Sequence, residues 1–277
     1  MWLFTPMKVS CAFDGKRDNR IKCTMDKVAK RRVCRHTDGS TEYMEDLIAL
    51  EKRVRISVNG KEVMGLYCTP HMVKELVVGL MMTEGIIRGN WCVERMSIVY
   101  GDEISVDIPA EGEVVTEGKT ITSGCVGGIT FQRKEEEDMI TDTFAIHRDD
   151  LKYIFNDFQA RSELYKTTGC VHSAALSDGR VIICFAEDIG RHNAVDKVIG
   201  YALLEHIPFS GKLLLASGRI SSEISSKCSR WGIPILATRT APTNLAVEIA
   251  EKRGVTIVGF VRGNRFNIYT HPERIVL

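Results

Sequence analysis

The last third of this chain alternates between two hydrophobic periods, and that alternation restricts the fold more than any other feature. Lys212 to Ala216 reads as a buried strand, Ser221 to Arg230 as a helix, Ile233 to Ala237 as a strand, Thr243 to Arg253 as a helix and Val255 to Val261 as a strand. Strands that alternate with helices in this way predict a βαβαβ unit with a parallel sheet. In open parallel sheets, ligands bind beyond the carboxyl ends of the strands, where helix N-termini point free N–H groups. Functional residues are therefore expected just after each of the three strands.

Each of those places carries arginine. Ser217-Gly218-Arg219 follows the first strand, Thr238-Arg239-Thr240 the second, and Val261-Arg262-Gly263-Asn264-Arg265 closes the third. Four guanidiniums on one edge, beside Ser221, Ser222 and Thr243 near helix starts, suit the oxygens of a phosphorylated or multiply anionic ligand. Any one of them alone reads as half of a surface ion pair, and their shared placement favours the anion site. A nucleoside-triphosphate P-loop is excluded, because five residues rather than four separate Gly112 from Gly118-Lys119. No G-x-G-x-x-G dinucleotide fingerprint occurs.

Two cysteine segments precede this unit. Ser123-Gly124-Cys125-Val126-Gly127-Gly128 sets a thiol among three glycines. Such a backbone can approach a partner closely, as a loop that presents a thiol to two sites requires, although a tight turn with an incidental cysteine fits equally well. Thr168-Gly169-Cys170-Val171-His172-Ser173-Ala174 is the second. Its Cys and His suggest a zinc deaminase, but Ala174 stands where that chemistry needs its glutamate and no P-C-x-x-C follows. A polar connector, Glu187 to Asn193, then leads into a helix from about Ala194 to Leu204. Read as a solvated loop or as a wall of a site, it offers Asp188, Arg191, His192 and Asn193.

Upstream the pattern is mixed α+β. Val54, Ile56 and Val58 alternate up to an Asn59-Gly60 turn, and Val63 to Cys68 returns, which predicts a hairpin. A helix is expected from about His71 to Thr83 with Gly85 ending it, then β structure from Met96 to Val115 and a helix near Asp149 to Glu163. A second hairpin is expected from Val171 to Leu176 and Val181 to Phe185. Residues 1–40 hold ten Lys or Arg against four Asp with weak periodicity, which predicts a basic, partly disordered leader. The expected organisation is thus a leader over 1–40, a mixed α/β region over 41–118 and the main α/β region over 119–277.

The 37 basic and 36 acidic side chains leave a net charge of +1, so no overall field draws nucleic acid or an anionic membrane. No apolar run is long enough to span a bilayer and no signal-peptide core follows Met1, so a cytoplasmic place is expected. The nine cysteines form no C-x-x-C pair, which argues against a structural metal.

Three long motifs, Glu187-Asp188-Ile189-Gly190-Arg191-His192-Asn193-Ala194-Val195-Asp196-Lys197, Ser217-Gly218-Arg219-Ile220-Ser221-Ser222-Glu223 and Phe260-Val261-Arg262-Gly263-Asn264-Arg265-Phe266, together resemble the formate dehydrogenase accessory sulfurtransferase family, FdhD. The resemblance runs from about Glu45 to Thr270 and includes Val58-Asn59-Gly60 and Thr83-Glu84-Gly85-Ile86-Ile87. It implies a cytidine-deaminase-like core without deaminase chemistry and a homodimer. It further implies that sulfur passes from a cysteine desulfurase, through a Cys125 persulfide, to the molybdenum bis(molybdopterin guanine dinucleotide) cofactor of formate dehydrogenase. The cofactor-binding segment of the family matches Phe260 to Arg265, to which the strand-end argument adds Arg219, Arg239 and Ser221. GDP would serve as a ligand analogue, with His172, Asp188, Arg191, His192 and Asn193 shaping the site. The C-x-x-C loop frequent in the family is not kept, since Gly128 stands at the second position. A non-catalytic chaperone that binds the cofactor or apo formate dehydrogenase is the competing reading.

Overall fold

The computed structural model describes residues 27–114, 119–121, 129–131 and 139–277. Val28–Thr37 (β1) and Ser40–Ala49 (β2) form an antiparallel pair, followed by Lys52–Val58 (β3), Lys61–Cys68 (β4) and helix Val73–Glu84 (α1). Ile87–Trp91 (β5), Ser97–Val99 (β6), Ile104–Ile108 (β7) and Ala110–Val114 (β8) come next, then Lys119–Ile121 (β9) and Ile129–Phe131 (β10). The rest of the chain runs Ile146–His147 (β11), Arg148–Ala160 (α2), Glu163–Thr168 (α3), His172–Ser177 (β12), Ile182–Asp188 (β13), Arg191–Leu204 (α4), Leu213–Ala216 (β14), Ser222–Arg230 (α5), Ile235–Thr238 (β15), Asn244–Arg253 (α6), Thr256–Arg262 (β16), Arg265–Ile268 (β17) and Ile275–Val276 (β18).

The predicted βαβαβ unit is present within a residue or two at each boundary. It forms the heart of a six-stranded sheet of order β13-β12-β14-β15-β16-β17, in which β14, β15 and β16 are parallel and the remaining neighbours antiparallel. Alternate side chains fill two cores. Leu214, Leu236 and Ile257 pack under α4, α5 and α6, while Leu213, Leu215, Ile235, Ala237 and Val258 pack under α2 on the other face. This period-2 division of an otherwise continuous apolar run is what a strand covered on both faces requires.

A second sheet, β4-β3-β7-β6, closes over α1 around Val54, Ile56, Leu76, Ile104 and Val106. Its β3–β4 turn places both Asn59 and Gly60 at positive φ (51° and 76°), the conformation that a two-residue hairpin of matching twist demands. Asn59 also donates from Nδ2 to the Ala110 carbonyl at 2.8 Å and accepts from the Ala110 N–H at 3.0 Å.

Two expectations are corrected here. Residues 28–37 are not leader but a strand paired along its whole length with β2, where Arg31, Arg32 and Arg35 face Asp46, Glu45 and Glu42 across the ladder. Weak periodicity misled because both faces of this ribbon are largely exposed. The connector after β13 is also shorter than expected: Glu187 and Asp188 end the strand, and Arg191, His192 and Asn193 already form the first turn of α4.

Helices α1 and α4 join the two sheets by direct backbone approach. A Cβ on Gly79 would overlap the Asp196 carbonyl, and one on Gly200 would overlap the Glu75 carbonyl. No rotamer change relieves a clash with backbone, so a methyl group must force the helices apart. Gly79→Ala is expected to lower the unfolding free energy by about 3 kcal/mol, read from the midpoint of urea denaturation.

Candidate functional site

A cavity of about 410 Å³ opens at the carboxyl ends of the parallel strands. Its floor is Ser217 after β14, Arg239 and Thr240 after β15, and Arg262 at the end of β16; His172 and Ser173 from the start of β12 complete it. Phe158 and Gln159 of α2, Tyr165 of α3 and the Gly169-Cys170-Val171 turn form the opposite wall. This volume lies within the range of small-molecule sites, about 300–1,000 Å³.

Hydrogen bonds lock the floor. Ser217 donates its N–H to the Ser173 carbonyl and accepts the Ser173 N–H on its hydroxyl, both at 2.9 Å. Thr238 donates its hydroxyl to the Gly218 carbonyl at 2.6 Å and accepts the Thr240 N–H at 3.2 Å, which ties the loop after β14 to the loop after β15. Arg262 donates from Nε to the Arg239 carbonyl at 3.2 Å, and its guanidinium lies 5.7 Å from the centre of the Phe260 ring. Phe260 itself is left-handed (φ 52°) at an irregularity in the β16–β17 ladder and donates its N–H to the Thr240 carbonyl at 2.8 Å. A bulky residue held in that region stores strain that the surrounding contacts must offset, and such residues gather at binding sites. Gly259 makes the approach possible, since a Cβ there would stand 2.8 Å from the Tyr269 ring and 3.1 Å from the Thr240 carbonyl.

The expected wall residues divide by depth. His172 lines the cavity, and burial together with Arg191 and Arg219 lowers its pKa against the pull of Asp188. Arg191 and His172 both crowd Gly218, where an added Cβ would meet each at 3.3 Å. Asp188 is fully buried and acts from beneath. Its carboxylate accepts from Lys197 Nζ at 2.6 Å, from the Gly190 N–H and Asn193 Nδ2 at 2.8 Å, and from the Thr69 N–H and hydroxyl at 3.1 Å. Asn193 spends its amide on that carboxylate and on the Tyr67 carbonyl at 2.9 Å. Glu187 accepts the N–H groups of Leu164 and Tyr165 at 3.2 and 3.0 Å, which holds the start of α3 at the cavity wall.

Not every strand-end residue meets the cavity. Arg239 and Arg262 line it; Arg219 and Arg265 are exposed nearby without lining it. Gly263 (φ 54°) and Asn264 form the exposed β16–β17 turn. The Val261 side chain is 2% exposed and belongs to the core, so only its backbone can face a ligand. Ser221 is 4% exposed and turns inward, with its hydroxyl 3.1 Å from His192 Nε2. Cys125 and residues 122–128 lie outside the described residues; in the chain they connect β9 to β10, whose Ile121 and Ile129 are paired. Sequence reasoning missed the wall from α2 and α3, because nothing in their local pattern tells which helix face meets the strand ends. Among the described residues, no group of three or more His, Cys, Asp or Glu could hold a metal ion, and no helix is long and apolar enough to cross a membrane.

Fold and site together define a class: a mixed α/β protein with an arginine-lined cavity at the carboxyl ends of three parallel strands. Comparison with known proteins makes the class particular. The pattern of the FdhD/NarQ family matches residues 49–276. Sulfur carrier protein FdhD of Bacillus pumilus is 37% identical over 253 residues, covering 89% of this chain and 97% of that protein. Its namesake in Bacillus subtilis is 36% identical over 262 residues, covering 90% and 98%. The crystal structure of a protein described as a formate dehydrogenase accessory protein from Desulfotalea psychrophila superposes with a TM-score of 0.76 at 26% identity, covering 91% of this chain and all of that one. This chain belongs to the FdhD/NarQ family.

The site's electrostatics generate a pH prediction. Burial first, then Lys227 and Arg191, push the His192 pKa down to about 3, against the opposite pull of Glu223. The folded protein therefore keeps the ring neutral, whereas the unfolded chain takes up a proton as pH falls through about 6.5. This contribution to stability is fully present above that pH and is lost progressively toward about pH 3, by at most about 1.4 kcal/mol per pH unit for one proton. Urea unfolding across about pH 7 to 4 is expected to show stability falling with pH, with a shallower slope in His192→Gln.

Proposed function

We propose that this protein is a sulfur carrier that takes sulfur from a cysteine desulfurase as a persulfide on Cys125. It then delivers that sulfur to the molybdenum bis(molybdopterin guanine dinucleotide) cofactor required by formate dehydrogenase. In the loading step the Cys125 thiolate attacks the outer sulfur of the desulfurase persulfide. A new S–S bond forms, the old one breaks, and the desulfurase cysteine leaves as thiolate, with no net oxidation. We place this activity in the cytoplasm and in a homodimer, on a cytidine-deaminase-like core that has lost deaminase chemistry.

The observation that carries the reading is the cavity. Arg239 and Arg262 bring two guanidiniums to one opening beside Ser217, Thr240 and a neutral His172. Planar guanidiniums pair with phosphate oxygens through two parallel hydrogen bonds, and the Arg262 guanidinium rests against the Phe260 ring. The cavity, about 410 Å³, is within the size range of small-molecule sites, and a guanine nucleotide would be one part of the larger cargo. The names borne by the relatives point the same way.

Two experiments test the reading. Calorimetric titration with GDP is expected to detect binding that weakens about tenfold or more in Arg262→Ala, given the usual strength of a charge-assisted contact; equal affinity would remove the nucleotide from this cavity. Cys125→Ser is expected to bind GDP as the parent does yet leave formate dehydrogenase inactive in cells, because a hydroxyl unionised at neutral pH neither accepts nor releases sulfur. Near-parental activity in the serine variant would instead favour a chaperone that carries no sulfur.

A further inference from the structure

Two guanidiniums, from Arg239 and Arg262, line the cavity, and no Asp or Glu is among the described residues that line it. A terminal phosphate carries a charge of about −1.5 to −2 near pH 7, and a diphosphate carries about one negative charge more. Such a ligand brings more negative charge than the two arginines bring positive. A third cation has to come from the wall, and His172 is the lining side chain whose ordinary titration lies closest to neutral pH.

The position of His172 suits that task. It opens β12 directly across the ladder from Asp188 of β13. Its Nδ1 lies against the loop after β14, where an added Cβ on Gly218 would stand 3.3 Å away, and the ring makes no hydrogen bond among the described residues. In the ligand-free protein, burial first, then Arg191 of α4 and Arg219 after β14, lower its pKa against the pull of Asp188. His192 of α4 adds no charge, since its own pKa is pushed down to about 3. Asp188 is already committed: its carboxylate accepts from Lys197 Nζ at 2.6 Å, from the Gly190 N–H and Asn193 Nδ2 at 2.8 Å and from Thr69 at 3.1 Å. Tyr165 and Cys170, the remaining ionisable side chains on the wall, carry no positive charge in either protonation state. The charges that face the ring are therefore positive or spoken for, and an anion in the cavity reverses the balance.

We infer that His172 is a proton-taking binding residue: as a phosphorylated anion settles between Arg239 and Arg262, the imidazole takes up a proton and becomes the third cation of the site. This rests on the reading of the cavity as a phosphate site given above. The proton comes from solvent and returns to it on release, so nothing is oxidised or reduced. The protonated ring donates from both nitrogens, where the neutral ring donates from one. An opposite charge within about 4–6 Å favours the charged form by about one to three pH units. Binding is thus linked to pH with a fixed sign. The contribution of His172 is absent above its ligand-bound pKa, grows as pH falls, and is complete below its lower, ligand-free pKa.

The test uses the full-length protein and inorganic pyrophosphate. The ring C–H resonances of His172, assigned by their loss in His172→Gln, are followed by NMR from about pH 8 to about pH 5, with and without saturating pyrophosphate. Their titration midpoint is expected to rise by about one pH unit or more on binding. Calorimetry over the same range should show the affinity gap between the parent and His172→Gln widening toward about tenfold as pH falls, the ligand's own protonation being common to both. A midpoint unmoved at saturation, or a gap constant with pH, would overturn this role of His172 and leave the anion site standing. Pyrophosphate that does not bind, or that binds a protein carrying both Arg239→Ala and Arg262→Ala with parental affinity, would remove the anion site and this inference with it.

Discussion

Helix α4 is the member on which the rest of the structure depends, because two buried ion clusters fasten it to everything around it. At its first turns, Lys197 joins the Asp188 carboxylate at 2.6 Å and the Thr69 hydroxyl at 2.7 Å, tying the end of β13 to the β4–α1 junction. On the side facing α1 and α5, Lys227 binds Asp196 at 2.6 Å and Glu84 at 3.1 Å, with the Thr83 hydroxyl donating to Asp196 at 3.0 Å. Burial alone would lower the Lys227 pKa, but Asp196 and Glu84 outweigh it and raise it; burial raises Asp196 against the pull of Lys227. Removing one partner from such a cluster strands a charge without solvent, at a cost of about 3–5 kcal/mol. The Gly79–Gly200 approach lets the helices come close enough for these groups to meet.

That frame explains why the long charged motif from Glu187 to Lys197 is so dense. Glu187 holds α3, Asp188 gathers Thr69, Gly190, Asn193 and Lys197, and Asp196 gathers Thr83 and Lys227. Most of its ionisable groups therefore support the cavity from behind. The polar groups that line the cavity stand on short segments at strand ends, where the frame fixes them and solvent still reaches them. Rigid support beneath a small set of convergent polar groups is what precise binding requires.

Much of this was legible because its signals were local. Period-2 and period-3.6 runs located β14 to β16 and their helices, and the rule that ligands sit beyond parallel strand ends pointed to Arg219, Arg239, Arg262 and Arg265, of which Arg239 and Arg262 line the cavity. Asn59-Gly60 announced its own turn. What stayed hidden depends on contacts distant in sequence. Ser221 and Val261 occupy the expected stretches, yet the first turns to His192 and the second into the core, and no pattern within either motif says so. The wall from α2 and α3 is brought to the cavity by Glu187 and by the Ser162–Ser173 contact at 2.8 Å, both long-range pairings. The β1–β2 ribbon escaped notice because a strand exposed on both faces has no hydrophobic alternation to read.

The central claim is that the strand-end cavity receives the phosphorylated part of the cargo, and the most direct measurement is a crystal structure of the protein grown with GDP. The account predicts nucleotide density in the cavity between Arg239 and Arg262, with phosphate oxygens within hydrogen-bond distance of at least one of their guanidiniums. Nucleotide bound at another surface, with that cavity holding solvent alone at saturating GDP, would contradict it.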